Sequence, residues 1–166
     1  LQLLFTPASY SAVELKTFDE HPGMTVAVCP VRPDSRGTIM AKSADPLERP
    51  AIVPNYLTDE NDVQVLLSGL RHTRRILESP ALASFSEGEI APGPEVDSAE
   101  TAKEYGLKHG NTIYHPVGTC KMGEDPMAVV DPRLKVRLLL GVAPWIRSRR
   151  RALPGTDRER NVTTNF

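Results

Sequence analysis

The sequence predicts an α+β domain in which a mostly antiparallel sheet carries helices on one face. Three observations favour this fold class. Short β-branched runs occupy residues 24–31 and 37–41, a long amphipathic helical pattern follows over residues 59–79, and a shorter helical pattern precedes Gly110. Strand-like segments, a long helix, a short helix and further extended segments in that order are typical of α+β domains.

The strands are predicted from composition and from the residues that interrupt them. Residues 24–31 (MTVAVCPV) and 37–41 (GTIMA) flank the turn-like stretch PDSRG, so we expect two neighbouring antiparallel strands. Residues 3–5 form a further short strand that ends before Pro7. Residues 46–54 are predicted to be extended or looped, because a residue that precedes proline is biased away from the helix.

The long helix is predicted over residues 59–79, with Thr58 as its N-cap and Pro80 as its stop. Apolar residues recur every three or four positions and predict one buried stripe, made of Val63, Leu66, Leu67, Leu70 and Leu77. The arginines of its second half are predicted to form a solvated face, namely Arg71, Arg74 and Arg75.

A second helix is predicted to begin at a capping box and to end near Gly110. Asp97 and Glu100 have the spacing of such a box. Residues 91–94 (APGP) are a loop, and residues 111–114 are a short extended segment that turns at His115.

Length and composition exclude several classes of protein. The chain has 166 residues, enough for one ordinary domain, and 15 of them are prolines, which indicates many irregular connections. A net charge of −1 excludes a uniformly basic nucleic-acid binder. No apolar run approaches the ~18 residues of a membrane-spanning helix. Cys29 and Cys120 are too few for a disulfide framework, so we expect a reduced, cytoplasmic setting, with peripheral membrane association left open.

The charge changes sharply near Arg137. Seven arginines and two acidic residues give residues 137–166 a charge of +5, which leaves −6 on the other 136 residues. This break predicts a domain over residues 1–136 and a separate arginine-rich tail over residues 137–166.

Most sequence signatures of catalysis are missing. The chain holds no G-x-G pair, no G-x-x-x-x-G-K-[ST] and no G-x-S-x-G. It also holds no C-x-x-C and no H-E-x-x-H, so we expect no metal site.

One segment is a candidate for chemistry, residues 111–123 (NTIYHPVGTCKMG). His115 stands at the end of a predicted strand and is fixed by the proline that follows it. An imidazole can accept a proton near neutral pH, so His115 is a candidate general base. The residues alone leave a structural histidine as the alternative. We expect Cys120 to be a small buried hydrophobic residue and Lys121 to be a surface charge.

The motifs around this histidine resemble a known family. Residues 114–123 (YHPVGTCKMG) and 129–136 (VVDPRLKV) are similar to the C-terminal signature of the glucose–methanol–choline (GMC) oxidoreductases, above all to choline-dehydrogenase-like alcohol dehydrogenases. Further matches follow in the family's order, namely FTPASY at 5–10, RPDSRG at 32–37, SADP at 43–46, PNYL at 54–57 and GLR at 69–71. The resemblance covers roughly residues 1–136.

The resemblance implies an FAD-dependent oxidation of the CH–OH group of a small alcohol. In this family the histidine that matches His115 removes the hydroxyl proton, and the substrate carbon gives hydride to flavin N5. The loop beside the isoalloxazine would be shaped by Tyr114, Pro116, Gly118 and Thr119. The chain would be the substrate-binding part, and its partner the N-terminal FAD-binding domain, which it lacks.

The departures from the family pattern imply a fragment that is inactive alone. The dinucleotide fingerprint is missing, and the sequence from Leu138 onwards does not follow the family. Asn161 and Asn165 have the wrong spacing for the family's second catalytic residue. We therefore expect a disordered tail translated in a shifted reading frame. Two alternatives remain open: a non-catalytic binding module that reuses the fold, and an anionic or nucleic-acid contact through the arginines of residues 147–151.

Overall fold

The computed structural model describes residues 1–9 and 18–137. Within them, two antiparallel strand pairs and three helices follow one another along the chain. They are β1 (Gln2–Thr6), β2 (Thr25–Cys29), β3 (Thr38–Met40), β4 (Ala51–Val53), α1 (Glu60–Leu77), α2 (Pro80–Ala83) and α3 (Ala99–His109). Helices and antiparallel sheets together confirm the predicted α+β class. The predicted tail, with Asn161 and Asn165, lies outside the described residues.

The strand pairing differs from the prediction. β1 pairs with β2, with Leu3 opposite Val28, whereas β3 pairs with β4, with Ile39 opposite Ile52. The predicted pairing of residues 24–31 with 37–41 is therefore wrong. The chain leaves β2 because the loop between the two segments is tied to α1: the buried Asp62 carboxylate accepts the backbone N–H groups of Asp34 at 2.7 Å and Ser35 at 2.8 Å.

Helix α1 is the centre of the packing. The predicted stripe is confirmed, since Val63, Leu66 and Leu67 are buried and Leu70 and Leu77 are half-buried. One side of the helix packs with Val28 of β2 and Leu57, and another side packs with Val96 and Ala102 of the α3 region. α1 thus lies between the β1–β2 pair and α3.

The helix ends are close to the predicted ones, but two caps differ. Asp59, not Thr58, caps α1 and accepts the N–H of Asn61 at 2.9 Å. Thr58 instead donates its hydroxyl to the carbonyl of Asn55. Pro80 ends α1 as predicted and also begins the short helix α2.

The second cap shifts by one residue. Ser98 and Thr101 form the capping box of α3, in place of Asp97 and Glu100. The Asp97 carboxylate instead forms an ion pair with Arg71, whose Nε lies 3.2 Å from Asp97 Oδ1. The predicted end of α3 at Gly110 is confirmed.

Arg74 does not belong to a solvated face, contrary to the prediction. Its side chain is only 17% exposed and forms a two-pronged contact with Glu89, at 2.8 and 3.0 Å. It also donates to the carbonyls of Gly93 and Val96, at 2.7 and 2.9 Å. The hydrogen bond to Glu89 raises the pKa of the Arg74 guanidinium. One arginine therefore fixes the loop between α2 and α3 onto α1, because its five donors suit several carbonyl and carboxylate oxygens at once.

Candidate active site

The candidate histidine lies on an irregular loop that follows α3. Residues 111–118 contain no helix or strand, so the predicted extended segment over 111–114 is not a strand. The reason is local, since Tyr114 has a φ of +62°, in the left-handed region that interrupts an extended chain. His115 directly follows this residue.

Two turn-forming side chains hold the entry to the loop. The Asn111 Oδ1 accepts the backbone N–H of Thr112 at 2.8 Å, and the Thr112 Oγ1 accepts the N–H of Tyr114 at 3.0 Å. Short polar side chains commonly hydrogen-bond to nearby backbone in this way and replace regular secondary structure. Sequence analysis missed both residues, although an Asn-Thr pair directly after a helix is a recognisable turn signal.

The residues predicted to border a flavin occupy the exposed part of the loop. Tyr114 is 71% exposed, and His115, Pro116 and Thr119 are also exposed. Gly118 is half-buried and has a φ of +88°, a conformation that glycine adopts without strain. The loop thus leaves an imidazole, a phenol and a hydroxyl exposed.

Backbone hydrogen bonds within residues 121–137, which we call the supporting segment, hold the end of the loop. The Lys121 carbonyl accepts the N–H groups of Val129 and Val130, at 2.9 and 3.2 Å, and Gly123 donates to the carbonyl of Val130 at 3.0 Å. Val130 also bridges to Val136 and is only 4% exposed. The chain that leaves the loop is therefore fixed by backbone bonds to residues further along.

Two residues at the start of this supporting segment, Cys120 and Lys121, differ from their predicted surroundings. Lys121 is not a solvated surface charge, because its side chain is 19% exposed and its Nζ lies 2.8 Å from Asp125 Oδ1. That contact lowers the pKa of Asp125. Cys120 is half-buried rather than buried, and both it and Cys29 are free thiols. Burial raises the pKa of the Cys29 thiol, as expected for an inert core cysteine.

The described residues hold no cluster of three His, Cys, Asp or Glu side chains that could bind a metal ion. No helix in the same part of the chain is long and apolar enough to cross a membrane.

The described residues thus form an α+β unit that carries an exposed histidine on an irregular loop. The family model of the GMC oxidoreductases, in its C-terminal part, matches residues 33–142. The chain belongs to the GMC oxidoreductase family.

Relatives and solved structures agree with this assignment. The chain is 44% identical over 120 residues to an alcohol dehydrogenase [acceptor] of Pseudomonas putida, which covers 72% of the chain and 22% of that protein. It is 39% identical over 142 residues to an oxygen-dependent choline dehydrogenase of Serratia proteamaculans, covering 86% of the chain and 25% of that protein.

Two solved structures share the fold of the described residues. Pyridoxine 4-oxidase from Mesorbium loti is 34% identical, with a TM-score of 0.57 over 63% of the chain and 20% of that protein. An Aspergillus oryzae formate oxidase, studied for its FAD modification, is 27% identical, with a TM-score of 0.56 over 68% of the chain and 20% of that protein. The chain thus spans about a fifth to a quarter of the length of these relatives.

Proposed function

We propose that this chain is the substrate-side part of an FAD-dependent oxidoreductase that acts on the CH–OH group of an alcohol, with His115 as the catalytic base. The observation that carries the proposal is the exposed position of His115, directly after the left-handed Tyr114, in a segment that matches the GMC family. The names of the P. putida and S. proteamaculans relatives support an alcohol, choline among them, as the substrate class.

The proposed reaction needs one proton acceptor and one hydride acceptor. His115 takes the hydroxyl proton as the C–H bond of the alcohol carbon breaks, and the product is an aldehyde or a ketone. When bound, the flavin supplies the hydride-accepting chemistry. A positioned general base contributes about 10²–10⁴-fold to such a step.

The other residues of the loop have supporting parts in this proposal. Tyr114, Pro116, Gly118 and Thr119 border the flavin ring, and residues 1–136 form the substrate-binding unit. The family match itself runs to residue 142. The predicted boundary between residues 136 and 137 therefore falls within the family match, and Arg137 still donates its backbone N–H to the carbonyl of Val129.

The isolated chain is proposed to be inactive. It contains no glycine-rich dinucleotide fingerprint, so the ADP part of FAD has no cradle of the usual kind here. Mixing the purified chain with FAD checks this directly. Micromolar binding, detected by quenched flavin fluorescence, would contradict the claim and would favour a complete binding module instead. We also propose a cytoplasmic location, which the two free thiols support.

A chimaera tests the catalytic proposal. The 142 aligned residues of the S. proteamaculans choline dehydrogenase are replaced by those of this chain, and reduction of the bound flavin by choline is followed without oxygen. His115→Gln should slow this reduction by about 10²–10⁴-fold at unchanged FAD content. His72→Gln is the matched control, because His72 is exposed on α1 and bonds to the Ser68 carbonyl. Equal reduction rates in the two variants would refute the role of His115.

A further inference from the structure

The residue directly before His115 has a backbone conformation that is rare for its type. Tyr114 has a φ of +62°, and bulky residues seldom enter the left-handed region. Such a conformation costs free energy and persists only where the surrounding structure holds it, most often at functional sites. Some contact of the loop must therefore keep Tyr114 in this conformation.

A backbone hydrogen bond, rather than packing, holds Tyr114. This residue is 71% exposed, so few atoms surround its ring. Its backbone N–H donates to the Oγ1 of the half-buried Thr112 at 3.0 Å. The bond fixes the peptide plane that enters Tyr114, and the φ of Tyr114 then sets the direction in which the chain continues to His115. The hydroxyl group of a threonine thus controls the backbone next to the proposed base.

Thr112 is itself anchored to the end of α3. Gly110 ends that helix and donates its N–H to the carbonyl of Gly106 at 2.8 Å. The Asn111 Oδ1 then accepts the N–H of Thr112, also at 2.8 Å. Hydrogen bonds therefore follow one another from the last turn of a helix to the residue before His115. A group tied to such a rigid element is positioned more precisely than a group on an unanchored loop.

The residue after His115 offers a different kind of restraint. Pro116 has no backbone N–H, so it cannot donate a hydrogen bond that would anchor the loop from this side. Its ring instead biases the backbone of His115 towards extended conformations. Where the histidine backbone lies is therefore set by the turn before it together with this bias.

We propose that Thr112 is a positioning residue for the proposed base, because its Oγ1 holds the turn at Tyr114 that directs His115 towards the hydroxyl group of the alcohol. This proposal rests on the proposed function. The threonine does not contact the reacting atoms and acts only through the histidine. Its loss should therefore lower the rate constant of flavin reduction at saturating choline and leave the half-saturating choline concentration unchanged.

Flavin reduction in the chimaera with the S. proteamaculans choline dehydrogenase tests the proposal. Thr112→Val keeps a similar shape but removes the accepting oxygen, and it should slow reduction by choline about 10- to 100-fold at unchanged FAD content. Thr112→Ser keeps the oxygen and should stay within about threefold of the unchanged chimaera. Thr38→Val is the matched control, since it makes the same substitution on the exposed strand β3, and it should leave the rate unchanged.

A combination with His115→Gln separates positioning from a general structural effect. If Thr112 acts through His115, Thr112→Val should slow the chimaera that retains the histidine and cause no further loss in the His115→Gln chimaera. A unit that is merely distorted would lose rate to the same extent in both backgrounds. Equal losses in both would overturn the proposal, and so would a Thr112→Val rate equal to that of Thr38→Val.

These outcomes are distinct from a failure of the proposed function. If His115→Gln leaves flavin reduction unchanged, the proposed function fails and the positioning role fails with it. If His115→Gln slows the reduction and Thr112→Val does not, the positioning proposal alone fails and His115 remains the base.

Hydrogen exchange in the full chain tests the same bond without the chimaera. Thr112→Val should speed exchange of the Tyr114 amide about 3- to 10-fold, because one hydrogen bond is lost. Thr112→Ser should leave this exchange close to that of the unchanged chain. An unchanged exchange rate in Thr112→Val would overturn the proposal, even where the corresponding chimaera fails to bind FAD.

Discussion

Replacing Asp62 by asparagine tests how the loop after β2 is held to α1. Asp62 is 2% exposed, and its two carboxylate oxygens accept the N–H groups of Asp34 and Ser35 at 2.7 and 2.8 Å. Asparagine keeps one acceptor oxygen, but its NH₂ group must then face the second backbone N–H. One hydrogen bond to a charged group is lost, and a buried donor is left without an acceptor.

The size of the effect follows from these two terms. A hydrogen bond to a charged group contributes about 1.5–3 kcal/mol, and an unsatisfied buried donor costs about 1–3 kcal/mol. Because both describe the same broken contact, they overlap, and we expect Asp62→Asn to lower the free energy of unfolding by about 2–4 kcal/mol. Asp62→Ala removes both acceptors and should cost more than Asp62→Asn.

Urea unfolding followed by far-ultraviolet circular dichroism measures these differences. Glu60→Gln is the matched control, because Glu60 is an exposed acid in the same first turn. It loses only its interaction with the helix dipole, about 0.3–1 kcal/mol. A loss for Asp62→Asn no larger than that of Glu60→Gln would refute the reasoning, and so would an equal loss for Asp62→Ala and Asp62→Asn.

Three further predictions concern the packing of α1 and the segment that supports the histidine loop. Gly69→Ala should destabilise the chain by about 1–3 kcal/mol in urea unfolding, because the added carbon would overlap the valine of β2 that faces it. Arg74→Met should expose the loop around Glu89 to proteolysis, with unchanged cleavage contradicting its role. Lys121→Met should lower stability at neutral pH. The pKa of Asp125 is depressed in the folded chain. The stability difference between the Lys121→Met variant and the unchanged chain should therefore vanish as pH falls from about 3.9, the ordinary value, through the folded pKa. A difference that persists at lower pH would contradict the ion pair.

The elements governed by local sequence were predictable. The apolar stripe of α1 and the stop at Pro80 depend on residues within one or two turns. Both caps were wrong by one residue, and for the cap of α3 the reason lies outside the local sequence. Asp97 has the right side chain for a cap, but Arg71, 26 residues earlier, occupies it. A pattern of neighbouring residues does not show that a distant side chain, here Arg71, will bind the carboxylate that could have capped the helix.

Pairing over longer distances was predictable only in part. The stretch PDSRG is an irregular connection between strands, as predicted, yet the chain that follows it belongs to a second strand pair. What redirects the chain is Asp62, which lies 27 and 28 residues beyond the two N–H groups it binds. An acidic residue in the first turn of a helix has an obvious local explanation in the helix dipole. The sequence therefore offered no reason to seek a second role for it.

The turn that precedes His115 bears on how this histidine is positioned. Asn111 and Thr112 hold the turn, because the Asn111 Oδ1 accepts the N–H of Thr112 and the Thr112 Oγ1 accepts the N–H of Tyr114. Both residues follow the end of α3, which packs on α1 through Ala102 and Leu67. A general base contributes only when it is held within hydrogen-bond reach of the proton it removes. The packing of α3 on α1 is therefore part of what would hold the proposed base in place.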